Sequence, residues 1–561
     1  YDETVSVWLA RQDLAEITRH TAGDIHPPLY YYLLHFWGTA AGWSEFSIAF
    51  LSLIFGVLIV ALAYRLARDL FGGRTALLAA GLIALSPYNV WYSQEVRMYT
   101  LAACLALGAC SFGARLVQDG AGVRRANPLE LLLFILLNAA GLYTLYYFVF
   151  FLVFEDLVVL YLLVTRYSLR DAPHALRIWL LSQVAIILLY APWFPNALRQ
   201  ALDPPVPPWR EFTPLPTVLL QATGALTLGQ SIDPMVALPI VLLSLFLIVY
   251  AFLVTRDNRR KLLVYSALLG FTFVPLALIF LLSLWKPLYH VRYVFMYSPA
   301  YYILFAASIA AMPQGRTRTT CTALTFGVGA LVVLVVLSVY SLYNFWFNPQ
   351  YATDDLRGAV QHIRANWRPG DVILVNAGYA YTSFVYFDRP FTRERLSSYQ
   401  PGASDTTQAA LVMTGSIDGN PSLGWGDPQS DFYSTTALET LSGLDRVFAS
   451  SPRVWMLRIY DTVVDPKGVI REYFAEHATL IDDTAYAGEA NARVQGFLTT
   501  RELPKDIPVN VTHVNRGFAG RVTLAGYLIM NTDVRAGQDW NILLYWRAEQ
   551  QLNYNYHVSV Q

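Results

Sequence analysis

The sequence predicts a polytopic α-helical membrane protein whose chain continues into a soluble α/β region and a C-terminal β-rich segment. Three observations carry that reading. Up to about residue 345 the chain is a series of apolar blocks, and a helix of about 20 residues crosses the hydrocarbon core of a bilayer. Only 14% of the 561 residues are charged and 55% are hydrophobic, whereas a soluble domain carries about 25% charged residues. Beyond residue 350 the composition returns to that of a soluble protein.

Spans are predicted near 46–66, 75–93, 97–117, 129–146, 147–166, 176–195, 236–255, 262–284, 294–312 and 322–345. The run from Pro128 to Tyr167 is too long for one span and is divided at "GLYTLYY". Basic residues in alternate connections set the orientation. One set holds Arg65, Arg68 and Arg74; Arg115, Arg124 and Arg125; Arg166, Arg170 and Arg177; Arg256, Arg259, Arg260 and Lys261; and Arg316 and Arg318. This uniformly basic set is assigned to the cytoplasm. Residues 1–45, the turn at Glu95 and Arg97, the turn near Tyr146, the loop 196–235, the segment Lys286 to Arg292 and everything after 346 then face outward. The expected location is the cell (inner or plasma) membrane, with the soluble regions on the extracytoplasmic side. A formal net charge of zero argues against a nucleic-acid partner. Cys104, Cys110 and Cys321 fall in apolar blocks, without disulfide or zinc spacing. The chain opens on Tyr1 and ends on "NYHVSVQ", so both ends are expected to be truncated and a first helix to lie upstream of Asp2.

The polar residues of the outward set fall into three groups. The first loop opens with Asp2 and Glu3. Val5, Trp8, Leu9, Leu14 and Ile17 then have the spacing of an interfacial helix. His26 precedes Pro27 and Pro28, which predict an extended entry into "LYYYLLHFW". The second group, Glu95 and Arg97, interrupts an apolar run in "YSQEVRMYTL". At a helix end that pair escapes most of the roughly 2.5–3.5 kcal/mol cost of a mid-bilayer charge. The third is "KPLYHVRYVFMY", where Lys286, His290 and Arg292 alternate with Tyr289, Tyr293 and Tyr297. Arg suits a lipid phosphate because it binds bidentately, and tyrosine faces stack on a sugar or an isoprenoid. Carboxylates, a histidine and cations on one face suit a reaction in which a carboxylate takes a proton from an attacking hydroxyl and guanidinium groups stabilise a departing phosphate.

Together "DE", "HPPLYYYLLHFW", "SEFSIAFLSLIFG", "YSQEVRMYTLAA" and "RYVFMYSPAYYILFAA" resemble the GT-C fold glycosyltransferases. The likeness is to the bacterial, family 39-like branch related to protein O-mannosyltransferases and lipid A aminoarabinose transferases. It covers roughly residues 1–345. It implies an inverting transfer of a sugar from a polyprenyl-phosphate donor to an acceptor hydroxyl on the outer membrane face. The acceptor is left open among lipid, protein and polysaccharide. By the same resemblance Asp2 is the general base, Glu3 orients it or the acceptor, and His26 matches the family's His-Pro-Pro. Arg97 meets the donor phosphate with Glu95 helping to hold it, and Arg292 is a second phosphate ligand. Lys286, His290 and Tyr293 complete the expected substrate-binding set. No cofactor is expected. The outer carboxylates offer oxygen ligands to a divalent cation, but no spacing demands one. The likeness departs at the N-terminus, where the family's first helix is absent.

In the soluble part, "LRGAVQHIRANWRPGDVILVN" reads as helix, turn and buried strand, and "RVWMLRIYD" and "PKGVIREYFAEHA" as a further strand and helix. This predicts an α/β domain over 350–500 with a polar insertion at 401–435. Alternation from residue 506 predicts a β-sandwich-like domain over 506–561. Both are candidates for binding acceptor or sugar. Asn510 opens an Asn-Val-Thr sequon by pattern. Three other functions compete: a transporter or flippase of lipid-linked sugars, a non-catalytic membrane anchor for the outer β domains, and an oligosaccharyltransferase or polymerase using longer donors. Transporters place ionisable groups at mid-membrane, and the reading here is that no mid-span acid occurs.

Overall fold

The computed structural model describes residues 2–118, 127–165, 172–202, 211–312, 318–388, 391–400, 409–418, 433–488, 492–499, 511–529 and 542–550. The chain forms two compact units, residues 2–352 and 353–561. Arg124, Arg125, Arg166, Arg170, Arg316, Asn510 and most of the 401–435 insertion lie outside the described residues.

The first unit is all helix. It runs α1 (Asp2–Ala10), α2 (Leu14–Gly23), α3 (Leu29–Ala41), α4 (Glu45–Phe71), α5 (Gly73–Leu85), α6 (Pro87–Gln94), α7 (Tyr99–Gln118), α8 (Pro128–Leu142) and α9 (Phe148–Thr165). It continues with α10 (Ala172–Tyr190), α11 (Phe194–Leu202), α12 (Leu215–Leu228), α13 (Pro234–Thr255), α14 (Arg259–Ser283), α15 (Val291–Val294), α16 (Ser298–Ala310) and α17 (Arg318–Phe347). Among the described residues seven stretches are long and apolar enough to cross a membrane, or eight if the pair α10–α11, bent by 81°, is one span. The ten expected spans therefore need correction. The stretch 75–93 is two helices, because Ser86 caps α6 and Pro87 occupies its first turn, where a proline ends one helix and starts the next. The block 129–146 yields only the 15-residue α8, and the loop 196–235 contains α12, with residues Ala222 to Leu228 buried. The expected extended entry does not include Pro28, which caps α3 in helical backbone with φ of −84° and ψ of −18°.

Burial separates the centre of the bundle from its rim. Every residue from Ser298 to Ile309 is buried, so α16 is the central helix, apolar all round as such a helix must be. On α9, Val149, Val153, Leu157, Leu160 and Val164 are exposed along one face, which is the pattern of a lipid-facing surface. At α4–α5 the helices meet at Gly72, with φ of 94°, a conformation open to glycine and strained for other residues. At one end of the bundle Arg115 bridges Asp69 (3.2 Å) and Glu130 (3.5 Å). The turn at Glu95–Arg97 lies at the other end of α7, roughly 24 Å away at 1.5 Å per residue.

Gly56 of α4 meets Ser93 of α6. A Cβ there would overlap Ser93 Oγ, whose hydroxyl donates to the Asn89 carbonyl at 2.6 Å. Gly56→Ala is expected to displace α6 and destabilise the unit by about 1–3 kcal/mol, as overpacking does. The measurement is the unfolding midpoint in detergent; an unchanged midpoint contradicts this close crossing.

The second unit holds α18 (Leu356–Asn366), β1 (Val372–Val375), α19 (Thr382–Phe387), β2 (Phe391–Arg395), β3 (Ala409–Met413), β4 (Ser416–Ile417), β5 (Ser434–Thr435), α20 (Ala437–Ser450), β6 (Arg453–Arg458), α21 (Asp461–Val464), α22 (Val469–His477), β7 (Thr479–Ala485) and β8 (Arg493–Leu498). Its main sheet has the order β2-β3-β1-β6-β8-β7. The first four strands are parallel, and β8 and β7 run antiparallel. All four residues of β1 are buried, as the continuous apolar run "VILV" requires of a strand covered on both faces. Asp371 accepts from Arg453 Nε (3.0 Å) and from Trp455 Nε1 (3.1 Å) in the core. A cavity of about 80 Å³ opens at the carboxyl ends of β1 and β6, lined among others by Asn376, Arg458, Asp461 and Arg471. Beyond residue 506 the described residues form one antiparallel sheet of β9 (Thr512–Phe518), β10 (Val522–Ile529) and β11 (Ile542–Ala548). The second layer of a sandwich is not among the described residues.

Candidate active site

The short helix α1 carries the first two carboxylates. It buries Val7, Leu9 and Ala10 and packs against α3, which fixes its N-terminal end. Asp2 Oδ2 accepts a hydrogen bond from the Arg292 guanidinium at 3.1 Å and lies 3.9 Å from Arg97 Nη2. Asp2 is 45% exposed, whereas Arg97 is 7% exposed, so the arginine is the more deeply buried of the pair. Burial works to raise the Asp2 pKa. The charges of Arg97 and Arg292 outweigh it and hold the carboxyl well below the usual carboxylate range. Glu3 plays a different part, its Oε1 accepting from the Val96 backbone N–H at 3.0 Å. That bond ties α1 to the turn between α6 and α7.

The turn itself is tight, with the Arg97 N–H donating to the Glu95 carbonyl at 2.9 Å. It sends the two side chains to different neighbours. Glu95 Oε1 accepts from Trp91 Nε1 at 2.7 Å, and the Trp91 ring stacks on Phe345 at 4.5 Å. Burial pushes the Glu95 carboxyl up to about 7, against the opposing Trp91 bond and the charge of Arg292. Arg97 Nη2 lies 3.1 Å from His26 Nε2. A guanidinium only donates, so His26 Nε2 is the acceptor and the ring proton sits on Nδ1. There it donates to Asp24 Oδ2 at 3.3 Å. Burial and the Arg97 charge lower the His26 pKa, consistent with a neutral ring.

From the other side, His290 Nδ1 accepts both the backbone N–H and Nε of Arg292, each at 3.2 Å. His290 thus aims Arg292 at Asp2. The ring of Tyr293 stacks on Tyr147 with centroids 3.9 Å apart and planes 7° apart. Lys286 stands apart, donating to the Ala201 carbonyl at 3.2 Å. Of the nine residues singled out from sequence, the fold links Asp2, His26, Arg97, Arg292 and His290 through direct contacts, joins Glu3 to the 95–97 turn and sets Glu95 beside it. Among the described residues no three His, Cys, Asp or Glu side chains converge as a metal site requires.

Two cations facing one carboxylate, with a neutral histidine beside them, can bind an anion and stabilise charge developing on it. Residues 25–194 match the family described as dolichyl-phosphate-mannose-protein mannosyltransferase. Among solved structures, ArnT from Cupriavidus metallidurans in the apo state aligns with a TM-score of 0.50 and 13% identity, over 84% of this chain and 87% of that one. The oligosaccharyltransferase AglB from Archaeoglobus fulgidus, in complex with an inhibitory peptide and a dolichol-phosphate, aligns with a TM-score of 0.47 and 13% identity, over 90% of this chain and 71% of that one. No curated protein matches the sequence. Residues 25–194 thus resemble that mannosyltransferase family, and the chain shares the fold of ArnT.

Several residues of this unit were not singled out from sequence. Asp24, two residues before His26, was readable as part of "GDIHPP". Trp91, Tyr99 and Tyr147 carried no local signal, because 14% of the chain is aromatic. The expectation of no mid-span acid is corrected. Glu155 lies inside α9, 7% exposed, and its Oε2 has no hydrogen-bond partner among the described residues. The unpartnered Oδ1 of the buried Asn138 on α8 is a second such atom. Glu155 is hard to see in the sequence because Phe and Leu dominate the average of its window.

Proposed function

We propose that the membrane unit transfers a sugar from a polyprenyl-phosphate donor to an acceptor hydroxyl, with inversion, on the outer membrane face. The supporting observation is the Asp2 carboxylate held between Arg292 and Arg97. The donor phosphate is an anion and competes with Asp2 for the same two guanidinium groups. Its binding loosens their hold on Asp2 and raises the proton affinity of that carboxylate. The acceptor oxygen then attacks the anomeric carbon on the face opposite the phosphate, and its proton passes to Asp2. The bond between the anomeric carbon and the phosphate oxygen breaks with its electron pair on the phosphate, which Arg97 and Arg292 stabilise. His26, neutral and tied to Asp24, fixes the Arg97 fork. Glu3 positions the turn that carries Arg97. The testing experiment is an in vitro transfer assay with a panel of polyprenyl-phosphate sugars, read as sugar released to the acceptor. Failure of every donor to react, with the protein folded, counts against the reading.

The proposal carries a pH dependence. Glu95 faces Arg97, Arg292, Glu3 and Trp91, with Tyr88, Tyr92 and Tyr99 also nearby. Below pH about 7 its carboxyl is neutral, and above it an extra negative charge appears beside the phosphate site. Affinity for a phosphodiester donor, whose own charge does not change in this range, is therefore expected to fall as pH rises through 7. In Glu95→Gln, which keeps an acceptor for Trp91, the affinity is expected to stay flat. Parallel binding curves at pH 6 and 8.5 for the two proteins check this; the same slope in both contradicts the role of Glu95.

A further inference from the structure

Two buried donors at the site have no partner. Arg97 Nε and the Tyr99 hydroxyl are both shielded from solvent and make no hydrogen bond among the described residues. An unsatisfied buried donor costs about 1–3 kcal/mol, so two of them two residues apart call for an explanation. Tyr99 is the first residue of α7 and is 2% exposed. Edge-on contacts with Tyr92 (centroids 5.1 Å apart) and Tyr293 (6.3 Å) fix its ring, so the hydroxyl does not swing away to find a partner. The charges that act on that hydroxyl most strongly are those of Arg292 and Arg97. A buried phenol two residues after Arg97, whose ring touches Tyr293 beside Arg292, is placed to share an anion with both arginines.

We propose that the Tyr99 hydroxyl is a third donor to the phosphate of the polyprenyl-phosphate substrate, acting with Arg97 and Arg292. This rests on the donor class proposed above. The phosphate group presents acceptor oxygens in several directions, and one meets each donor: Arg97 Nε–H, the Tyr99 O–H and the Arg292 guanidinium. Hydrogen bonds from such donors to a charged oxygen are shorter and stronger than neutral ones. The two orphaned donors are then satisfied in the complex, and the rigid aromatic frame of Tyr92, Tyr99 and Tyr293 prepares the site for it.

The test uses the full chain in lipid nanodiscs, titrated with undecaprenyl phosphate and, separately, with undecaprenol, which has the same chain and no phosphate. Tyr99→Phe is expected to weaken undecaprenyl phosphate binding by about ten-fold, the loss of one hydrogen bond to a charged group. Undecaprenol binding is expected not to change. The ligand-free unfolding midpoint is expected to stay equal or rise, because the deleted hydroxyl was unsatisfied. Unchanged affinity for undecaprenyl phosphate overturns the proposal. So does a lowered midpoint with equal losses for both lipids, which marks Tyr99 as a packing residue. An effect confined to sugar-bearing donors also overturns it, by moving the hydroxyl from phosphate to sugar. If the wild type binds undecaprenyl phosphate no better than undecaprenol, the donor class itself is wrong, a result distinct from the other three.

Discussion

Asp2→Asn is expected to lower single-turnover transfer by about 10²–10⁴-fold, the range for loss of a general base, while donor binding is kept or tightened. The amide preserves the shape of the side chain but does not accept the acceptor's proton. It also removes the negative charge that Arg292 (3.1 Å) and Arg97 (3.9 Å) share in the free protein. The donor phosphate then meets two guanidinium groups relieved of the Asp2 charge. The expected signature is a fall in rate together with an unchanged or lower Kd. A residue that only orients the arginines gives the opposite pattern, because losing it disorders the phosphate site and weakens binding. The measurement pairs single-turnover transfer with equilibrium donor binding. Near wild-type turnover in this variant excludes Asp2 as the base. Glu3 is then poorly placed to replace it, since its carboxylate already accepts from the Val96 N–H.

The fold class was legible because a bilayer constrains composition over long windows. Blocks such as "SLIFGVLIVALAY" and "IVLLSLFLIVYAFLV" leave little room for another reading. Breaks inside such blocks are set by single residues, and averaging hides them. Ser86 and Pro87 are a readable cap and first-turn proline, yet the surrounding apolar residues swamp them in a span-length window. The helix α12 escaped for a related reason: at 14 residues it is too short to span alone, and only its neighbours bury it. In the soluble part, the β1 strand "VILV" was legible from its continuous apolar run, whereas the order β2-β3-β1-β6-β8-β7 depends on pairings between distant segments.

At the candidate site, sequence indicated which residue types share a membrane face, not which of them touch. Asp2 and Arg292 lie 290 positions apart, and no local pattern joins them. Within "KPLYHVRY" the resemblance set Arg292 ahead of Lys286 and His290, and backbone geometry separates the last two. Lys286 follows the last turn of α14 and reaches the Ala201 carbonyl. His290 caps α15 and bonds Arg292 instead of facing solvent. The pairing of Glu95 with Arg97 was likewise apparent only in sequence. In three dimensions Glu95 turns to Trp91, and Arg97 to His26 and Asp2.

Arg97→Ala is expected to behave as the converse of Asp2→Asn, with donor affinity and transfer rate falling together. The guanidinium is 7% exposed and bonded to His26, so a bound phosphate meets it with little competing water, where a charge pair counts most. Truncating one member of a buried charged pair costs about 2–5 kcal/mol, which corresponds to roughly 30- to 5,000-fold in donor Kd. The contact is present both before and during bond breaking, so the loss appears in binding and in rate. Arg97→Lys is expected to recover part of the binding and less of the rate, because an ammonium supplies charge without the planar fork. His26 provides an internal check. With Arg97 gone, its Nε2 loses a donor and its ring loses a neighbouring cation, one of the two causes that lower its pKa. The His26 pKa, followed by NMR, is therefore expected to rise in Arg97→Ala. Normal donor binding in Arg97→Ala, with the His26 pKa raised as described, would reduce Arg97 to a structural partner of His26 and Asp2 and leave Arg292 as the phosphate ligand.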